Sequence, residues 1–189
     1  MAKSRKYYKR KRGYRFNLNK LLSQYTRAKL DVTQQVQWTA SQLQWENNNT
    51  DVSIEGLLTL SHDFPYYRQL YHSMKLRGIL ITCTPMPSAL SINTQQQPNF
   101  NGVGLCGFLT QRDASNYQNV SESNNKIVLG TTKSTKYIYF PGGQTGYIST
   151  DNAQDFDGKF SLQTNGGPSY ATLNFTFTFS LFITFKCSN

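Results

Sequence analysis

The stretch that decides the fold lies near the C-terminus and reads Leu173-Asn174-Phe175-Thr176-Phe177-Thr178-Phe179-Ser180-Leu181-Phe182-Ile183-Thr184-Phe185. Its odd-numbered positions are all apolar, and its even-numbered positions are polar except for Phe182. Because successive side chains of a β-strand point to opposite faces, this alternation predicts one strand with one buried face. At ~3.3 Å per residue its length is about 40 Å, which is well beyond an ordinary strand of five or six residues.

Seven further stretches have strand-like patterns, and they cover residues 32–45, 52–60, 75–84, 103–111, 126–129, 136–140 and 159–163. The first of them changes face between Ala40 and Leu43, which suggests a β-bulge. Segments rich in proline and glycine lie between the strands and exclude long helices. Eight antiparallel strands are typical of an all-β, two-sheet jelly-roll sandwich, and we predict a single domain of this class.

The excess of positive charge is confined to the N-terminal end of the chain. The formal net charge is +10, and residues 1–29 hold eleven cations and no acid. Residues 30–189 hold nine cations and ten acids, so this part is close to neutral. We therefore divide the chain into a basic arm, residues 1–29, and a jelly-roll domain, residues 30–189. A cation excess of this size favours a polyanionic partner, and nucleic acid above all.

The arm combines cations with aromatic residues. It has too little apolar surface to offset the entropy of ordering, so we expect it to be disordered when free. Cations that follow phosphates and rings that stack on unpaired bases are typical of proteins that bind single-stranded nucleic acid. The predicted nucleic-acid-binding residues are Lys3, Arg5, Lys6, Tyr7, Tyr8, Lys9, Arg10, Lys11, Arg12, Tyr14, Arg15 and Lys20.

Other features of the N-terminal segment leave alternatives open. The run at residues 9–12 has the composition of a nuclear-import signal, so an import receptor is a further expected partner. A solvated basic tail is the plainer interpretation of the arm. Residues 17–28 either form a short helix with leucines on one side or anchor the arm to the inner face of the domain.

Patterns of catalytic or metal-binding residues are weak. His62 and His72 lie in an aromatic-rich segment without a nucleophile motif, which favours a structural or interface role. The three cysteines lack the paired spacing of a zinc site and indicate core or free thiols. The aspartate-rich loop at residues 151–157 lacks the ligand register of an EF-hand. We predict no enzymatic activity, no metal and no cofactor. No apolar run approaches the ~20 residues of a membrane span, so no membrane insertion is expected.

Residues 66–85 read YYRQLYHSMKLRGILITCTP. This stretch resembles the aromatic-rich turn, basic-hydrophobic strand and closing proline in capsid proteins of small circular single-stranded DNA viruses of the circovirus type. The arm, with tyrosines between its cations, is similar to their arm. This chain is shorter than typical members, and its arm is richer in lysine. The coat proteins of small satellite RNA viruses share the plan of arm and jelly roll.

The resemblance implies a structural capsid protein that self-assembles into a small icosahedral shell, with about sixty copies in the simplest case. It implies that the arm packages a single-stranded genome, with DNA favoured over RNA. It also implies a place in the virion and, during assembly, in the host nucleus, with an unidentified host attachment factor. The polar stretches at residues 88–101, 116–125 and 141–157 are the expected subunit interfaces and outer loops.

Two other functions compete with the capsid interpretation. The first is a nucleic-acid-binding module that does not assemble, for which the arm alone is sufficient. The second is a jelly-roll protein that binds or hydrolyses sugars and has an incidental basic tail. Removal of residues 1–29 leaves the activity of the second intact, whereas it abolishes packaging by a capsid protein.

Overall fold

A computed structural model describes residues 25–39, 42–86, 102–130, 133–141, 146–167 and 172–187 of the chain. The predicted nucleic-acid-binding residues, at positions 3–20, lie outside the described residues, as do the whole of the expected loop at 88–101 and part of the loop at 141–157. In the described part, no helix is long and apolar enough to cross a membrane.

The described residues form ten strands, three short α-helices and one 3₁₀ turn. The strands are β1 (Tyr25–Thr39), β2 (Gln42–Trp45), β3 (Asp51–Ser53), β4 (Ser73–Pro85), β5 (Val103–Leu109), β6 (Lys126–Val128), β7 (Thr135–Tyr139), β8 (Ile148–Ser149), β9 (Lys159–Asn165) and β10 (Thr172–Lys186). The helices are α1 (Ile54–Leu60), α2 (Phe64–Leu70) and α3 (Tyr117–Glu122), and the 3₁₀ turn is Ala153–Asp155.

The strands build two antiparallel sheets that pack face to face. The six-stranded sheet has the order β2-β1-β10-β4-β7, with β8 paired to β4, and the four-stranded sheet has the order β3-β9-β5-β6. Several neighbours in each sheet, such as β1 with β10 and β3 with β9, come from distant parts of the chain, so the connections cross between the sheets as in a jelly roll. The predicted all-β jelly-roll sandwich is confirmed.

Strand β10 lies in the middle of the six-stranded sheet and has the one buried face that its alternation predicts. Its odd-numbered side chains from 173 to 185 are buried. The ring of Phe160 on β9 lies 5.8 Å from that of Phe177 and 5.1 Å from that of Phe179, between ring centroids. Burial of one such side chain contributes about 1.5–3 kcal/mol. This aromatic row therefore holds the two sheets together.

The face change between Ala40 and Leu43 is a reversal of the chain and not a bulge. Strands β1 and β2 pair antiparallel, with Thr39 opposite Gln42. Buried side chains on both strands, including Trp38 and Trp45, face the same core. The predicted single strand at 32–45 is therefore wrong, because the change of face marks the turn between two antiparallel strands.

Most of the segment 52–60 forms a helix, Ile54–Leu60, where a strand was expected. Only β3 is extended, and α1 follows it immediately. The side chain of Ser53 accepts a hydrogen bond of 2.9 Å from the N–H of Gly56 and so caps the helix. The buried residues Ile54, Leu57 and Leu58 have helical spacing. The serine cap and the apolar residues three and four positions apart thus favour a helix over the strand that was expected from the segment's pattern.

The N-terminal boundary also differs from the expected one. Strand β1 begins at Tyr25, and residues 25–29 pair in register with residues 182–186 of β10. The expected boundary at residue 29 thus falls inside a strand, and the alternative of a helix over 17–28 is contradicted for residues 25–28. The expected loop at 116–125 contains α3, and β8 was not predicted.

Candidate nucleic-acid interface

The outward face of the six-stranded sheet, which is turned away from the four-stranded sheet, gathers cations at one end. The register places outward positions of β1, β10 and β4 in three rows, namely Tyr25–Lys186–Ser73, Arg27–Thr184–Lys75 and Lys29–Phe182–Gly78. We call Arg27, Lys29, Lys75, Arg77 and Lys186 the sheet cations. Three of the five belong to the body of the protein, and they lie far from the arm in the sequence.

A β-bulge in β4 adds one of these cations. The register shifts so that Phe182 lies opposite Gly78 and Ile183 lies opposite Leu76. Arg77 is the additional residue, and its Nε donates a hydrogen bond of 3.1 Å to Oγ1 of Thr184 on the outward face. The bulge shifts the alternation of β4, so Lys75 and Arg77 lie on the outward face although Ile79, Ile81 and Cys83, which are also odd-numbered, are buried.

One acid lies among the described outward positions of β1, β4, β7 and β10. Asp31 accepts hydrogen bonds from the Ser180 hydroxyl at 2.5 Å and from Nζ of Lys29 at 2.9 Å. The Ser180 bond is the main cause that lowers the pKa of Asp31, Lys29 lowers it further, and partial burial opposes both. Asp31 thus neutralises part of the charge of Lys29, and the end of the sheet remains strongly positive.

Exposed aromatic side chains accompany the sheet cations. Phe182 is 38% exposed and Phe140 is 69% exposed. Phe140 follows β7, and its ring lies 3.5 Å from the position that a Cβ of Gly78 would occupy. In the first row, the Tyr25 ring lies 6.0 Å from that of Tyr147 between centroids, and Nζ of Lys186 lies 5.9 Å from the Tyr25 centroid.

Comparison with known proteins identifies the fold. No family model and no curated sequence matches the chain. Among solved structures, the decameric BFDV capsid protein matches with TM-score 0.54 and 10% identity, over 86% of this chain and 99% of that one. The capsid protein deletion mutant in the T=1 subviral particle of Penaeus vannamei nodavirus matches with TM-score 0.56 and 12% identity, over 87% and 98%. The Macrobrachium rosenbergii nodavirus of the giant freshwater prawn matches with TM-score 0.54 and 10% identity, over 87% and 95%.

This chain has the fold of a viral capsid protein. The similar proteins come from more than one group of viruses, so the shared viral jelly roll does not single out the circovirus type. The identities are too low to carry site residues from these proteins to this chain.

The remaining candidate residues of this jelly roll do not form a catalytic site in the described part. The side chain of His62 is largely exposed, with its Nδ1 3.6 Å from the Asp63 carboxylate. The backbone N–H of His72 donates to the carbonyl of Lys186. Within the described ranges, no cluster of three histidine, cysteine, aspartate or glutamate side chains could hold a metal ion.

The cysteines and the aspartate-rich loop have structural surroundings. Cys83 and Cys106 are buried and unpaired with each other, and Cys187 is half-buried. Desolvation raises the pKa of Cys83 to about 12 and raises that of Cys106 well above its usual range. Asp157 accepts a hydrogen bond from the N–H of Gln111, and Asp151 pairs with Arg68. The thiols of Cys83 and Cys106 therefore belong to the core, and the two aspartates form contacts within the protein, with Gln111 and Arg68.

The sequence predicted nucleic-acid-binding residues in the arm, and it did not predict the cations on the outward face of the sheet. Of the eleven arm cations, Arg27 and Lys29 are described, and both lie in β1. Lys75, Arg77 and Lys186 were not predicted, because their proximity depends on the pairing of β10 with β4. The break in alternation at Phe182 was the one signal in the sequence that pointed to this face.

Proposed function

We propose that this chain is the subunit of a small icosahedral viral capsid, and that its basic N-terminal arm packages a single-stranded genome. The observation that carries the proposal is the viral jelly roll itself, joined at Tyr25 to a segment rich in lysine and arginine. Structural capsid proteins share this fold, and nothing in the described residues supports a catalytic role. The virion is then the place where the protein acts.

The charge of the arm supports a role in packaging. About sixty copies of eleven cations present roughly 660 positive charges to the enclosed strand. Binding of this kind releases counterions and weakens steeply as the salt concentration rises. Assembly does not need one strong contact, since modest interfaces multiply in a closed shell. We further propose the polar stretches at 88–101, 116–125 and 141–157 as sites of subunit contact and host attachment.

The finer parts of the proposal concern the genome and the cell. We propose single-stranded DNA as the packaged nucleic acid, in line with the similarity of residues 66–85 and of the arm to circovirus-type capsid proteins. We propose import into the host nucleus through the cation run at residues 9–12. A fluorescent fusion of the full chain tests import, and substitution of these four residues by glutamine is expected to leave it in the cytoplasm.

The principal test is electron microscopy and sedimentation of the purified full chain in low and high salt. The expected result is uniform closed shells whose absorbance ratio at 260 and 280 nm shows nucleic acid. Digestion of the extracted contents with DNase or RNase then identifies the genome type. A stable monomer or dimer that binds oligonucleotides and never closes into shells contradicts the capsid proposal and favours a non-assembling binding module.

A matched pair of variants isolates the role of the arm. Arg10→Gln with Arg12→Gln removes two charges from the arm, and Arg112→Gln with Lys133→Gln removes two exposed charges from the body. We expect the arm variant to form shells with less nucleic acid and the body variant to package normally. Equal packaging by both contradicts the role of the arm.

A further inference from the structure

Phe182 is the residue that the fold leaves unexplained. It occupies an outward position of β10, the central strand of the six-stranded sheet, where every other even-numbered position from 174 to 184 is polar. Its neighbours in register are Lys29 on β1 and Gly78 on β4. An aromatic ring at this place adds nothing to the core, because the core lies on the opposite face of the sheet.

A second exposed ring lies in the same row. Extension of the β4–β7 register by one residue brings Phe140 beside Gly78. The ring of Phe140 lies next to the place where a side chain at position 78 would begin. Adjacent strands are ~4.8 Å apart, so the backbones at Phe182 and Phe140 are about 10 Å apart. Gly78 has no side chain to fill the space between them. The row therefore presents two apolar rings, and the glycine between them has no side chain.

Cations lie in and next to the row of Phe182, toward the end of the sheet where β1 begins. Lys29 lies in it, Arg77 lies beside it at the bulge, and Arg27 and Lys75 form the next row. Within the described residues, Arg27 and Arg77 form no ion pair with an acid, and the one ion pair of Asp31 is with Lys29. A second copy of the same face is a poor occupant, because five cations would oppose five cations. A polyanion has the complementary charge.

We propose that this outward face is a second binding site for single-stranded nucleic acid, with phosphates on the sheet cations and unpaired bases stacked on Phe182 and Phe140. The inference deepens the proposed packaging function and rests on it. It locates on the folded domain a contact that the arm alone was expected to provide.

The chemistry selects single strands over duplexes. Rings stack on base faces, which are accessible only when bases are unpaired, and such stacking tolerates any sequence. The site is continuous with the arm, since β1 enters the sheet at Tyr25 beside Lys186. A strand held by the arm can therefore run on across the rows of the sheet.

Ultraviolet cross-linking of the full chain to oligothymidylate and, separately, to oligouridylate tests the proposal. Cross-linked peptides are identified by mass spectrometry after nuclease digestion. We expect cross-links at Phe182 or Phe140 in addition to the tyrosines of the arm. Cross-links confined to residues 1–24 overturn the sheet site and leave packaging by the arm intact. A full chain that binds neither oligonucleotide overturns both proposals.

Charge variants give an independent measurement. Arg27→Gln/Lys29→Gln/Arg77→Gln removes three sheet cations, and Arg112→Gln/Lys126→Gln/Lys133→Gln removes the same charge elsewhere. We expect the first variant to lower the slope of log affinity against log salt by about 2, since each lost contact to a single strand removes about 0.7. The control keeps its slope. Equal slopes in the two variants overturn the proposal.

Ring variants test stacking. Phe182→Leu keeps the apolar bulk and removes the ring, and Tyr66→Leu removes an exposed ring from α2 as the control. We expect roughly tenfold weaker oligonucleotide binding for the first and no change for the second. If Phe182→Leu alters shell formation in sedimentation while binding is unchanged, the face is a contact between subunits and the proposal fails.

Discussion

Ser180 on β10 donates a hydrogen bond of 2.5 Å to the carboxylate of Asp31, the residue directly opposite it on β1. Ser180 is only 5% exposed, although it lies on the outward face. The bond is the largest cause that lowers the pKa of Asp31. It keeps a carboxylate ionised next to the sheet cations, so the pair sets the local charge at the edge of the proposed site.

Removal of this hydrogen bond is expected to reduce the pH dependence of stability. A carboxylate with a lowered folded-state pKa stabilises the fold above its unfolded pKa, and that contribution disappears as the pH falls through the folded value. Ser180→Ala should therefore cost about 1 kcal/mol at pH 7 and less in acid. Denaturant unfolding at neutral and acidic pH measures this, with Thr178→Ala as the control. An unchanged pH profile would contradict the role of Ser180.

Neutralisation of Asp31 is expected to strengthen nucleic-acid binding. Asp31→Asn removes the one acid among the described outward strand positions and frees Lys29 for a phosphate. Affinity for a single-stranded oligonucleotide should rise roughly two- to fivefold at low salt and return to the original value at high salt, where surface charges are screened. Fluorescence anisotropy measures the change. Asp113→Asn removes an acid next to the other sheet, and an equal gain there would show that only net charge matters.

Close approach of two backbone segments predicts a strict requirement for glycine at position 107. A Cβ on Gly107 would lie 2.6 Å from the carbonyl oxygen of Asn125, which is a backbone atom and cannot rotate away. Gly107→Ala should destabilise the fold by about 1–3 kcal/mol. Gly146→Ala, where the same atom would meet nothing within 4 Å, should change stability by less than about 0.5 kcal/mol. Thermal unfolding of both variants tests the contrast.

Two truncations should differ sharply in stability. Deletion of residues 1–24 leaves β1 whole, whereas deletion of residues 1–29 removes five residues paired with β10, including Ala28, which packs against the core. We expect the longer deletion to cost about 2 kcal/mol more, or roughly 4–8 °C in Tm. Calorimetry distinguishes them. Equal Tm values would mean that residues 25–29 contribute nothing to the sheet.

Thiol reactivity should follow burial. Because desolvation raises the pKa of Cys83 to about 12 and that of Cys106 well above its usual range, neither forms the reactive thiolate near pH 8. One thiol per chain, Cys187, should react with Ellman's reagent in the native protein, and all three in denaturant. A Cys187→Ser variant should then show no rapid reaction. Rapid reaction of three native thiols would contradict the buried positions of Cys83 and Cys106.

Prediction from the sequence succeeded where the signal is local. The alternation at 173–185 was confirmed. The prediction was wrong at residues 52–60, where a serine cap starts a helix, and at 32–45, where the change of face marks a hairpin and not a bulge. The residues of the arm remain predictions.

The sequence by itself determined the all-β class and the concentration of positive charge in the N-terminal segment. Both can be read locally, because the alternation of apolar and polar residues and the local charge depend only on residues close together in the chain. Only the tertiary structure decided that Arg27, Lys75 and Lys186 share one face with Phe182 and Phe140. Which strands become neighbours depends on the packing of the whole sandwich, and a single bulge in β4 decides which side Arg77 occupies. Both depend on contacts between residues far apart in the chain, which no local pattern contains.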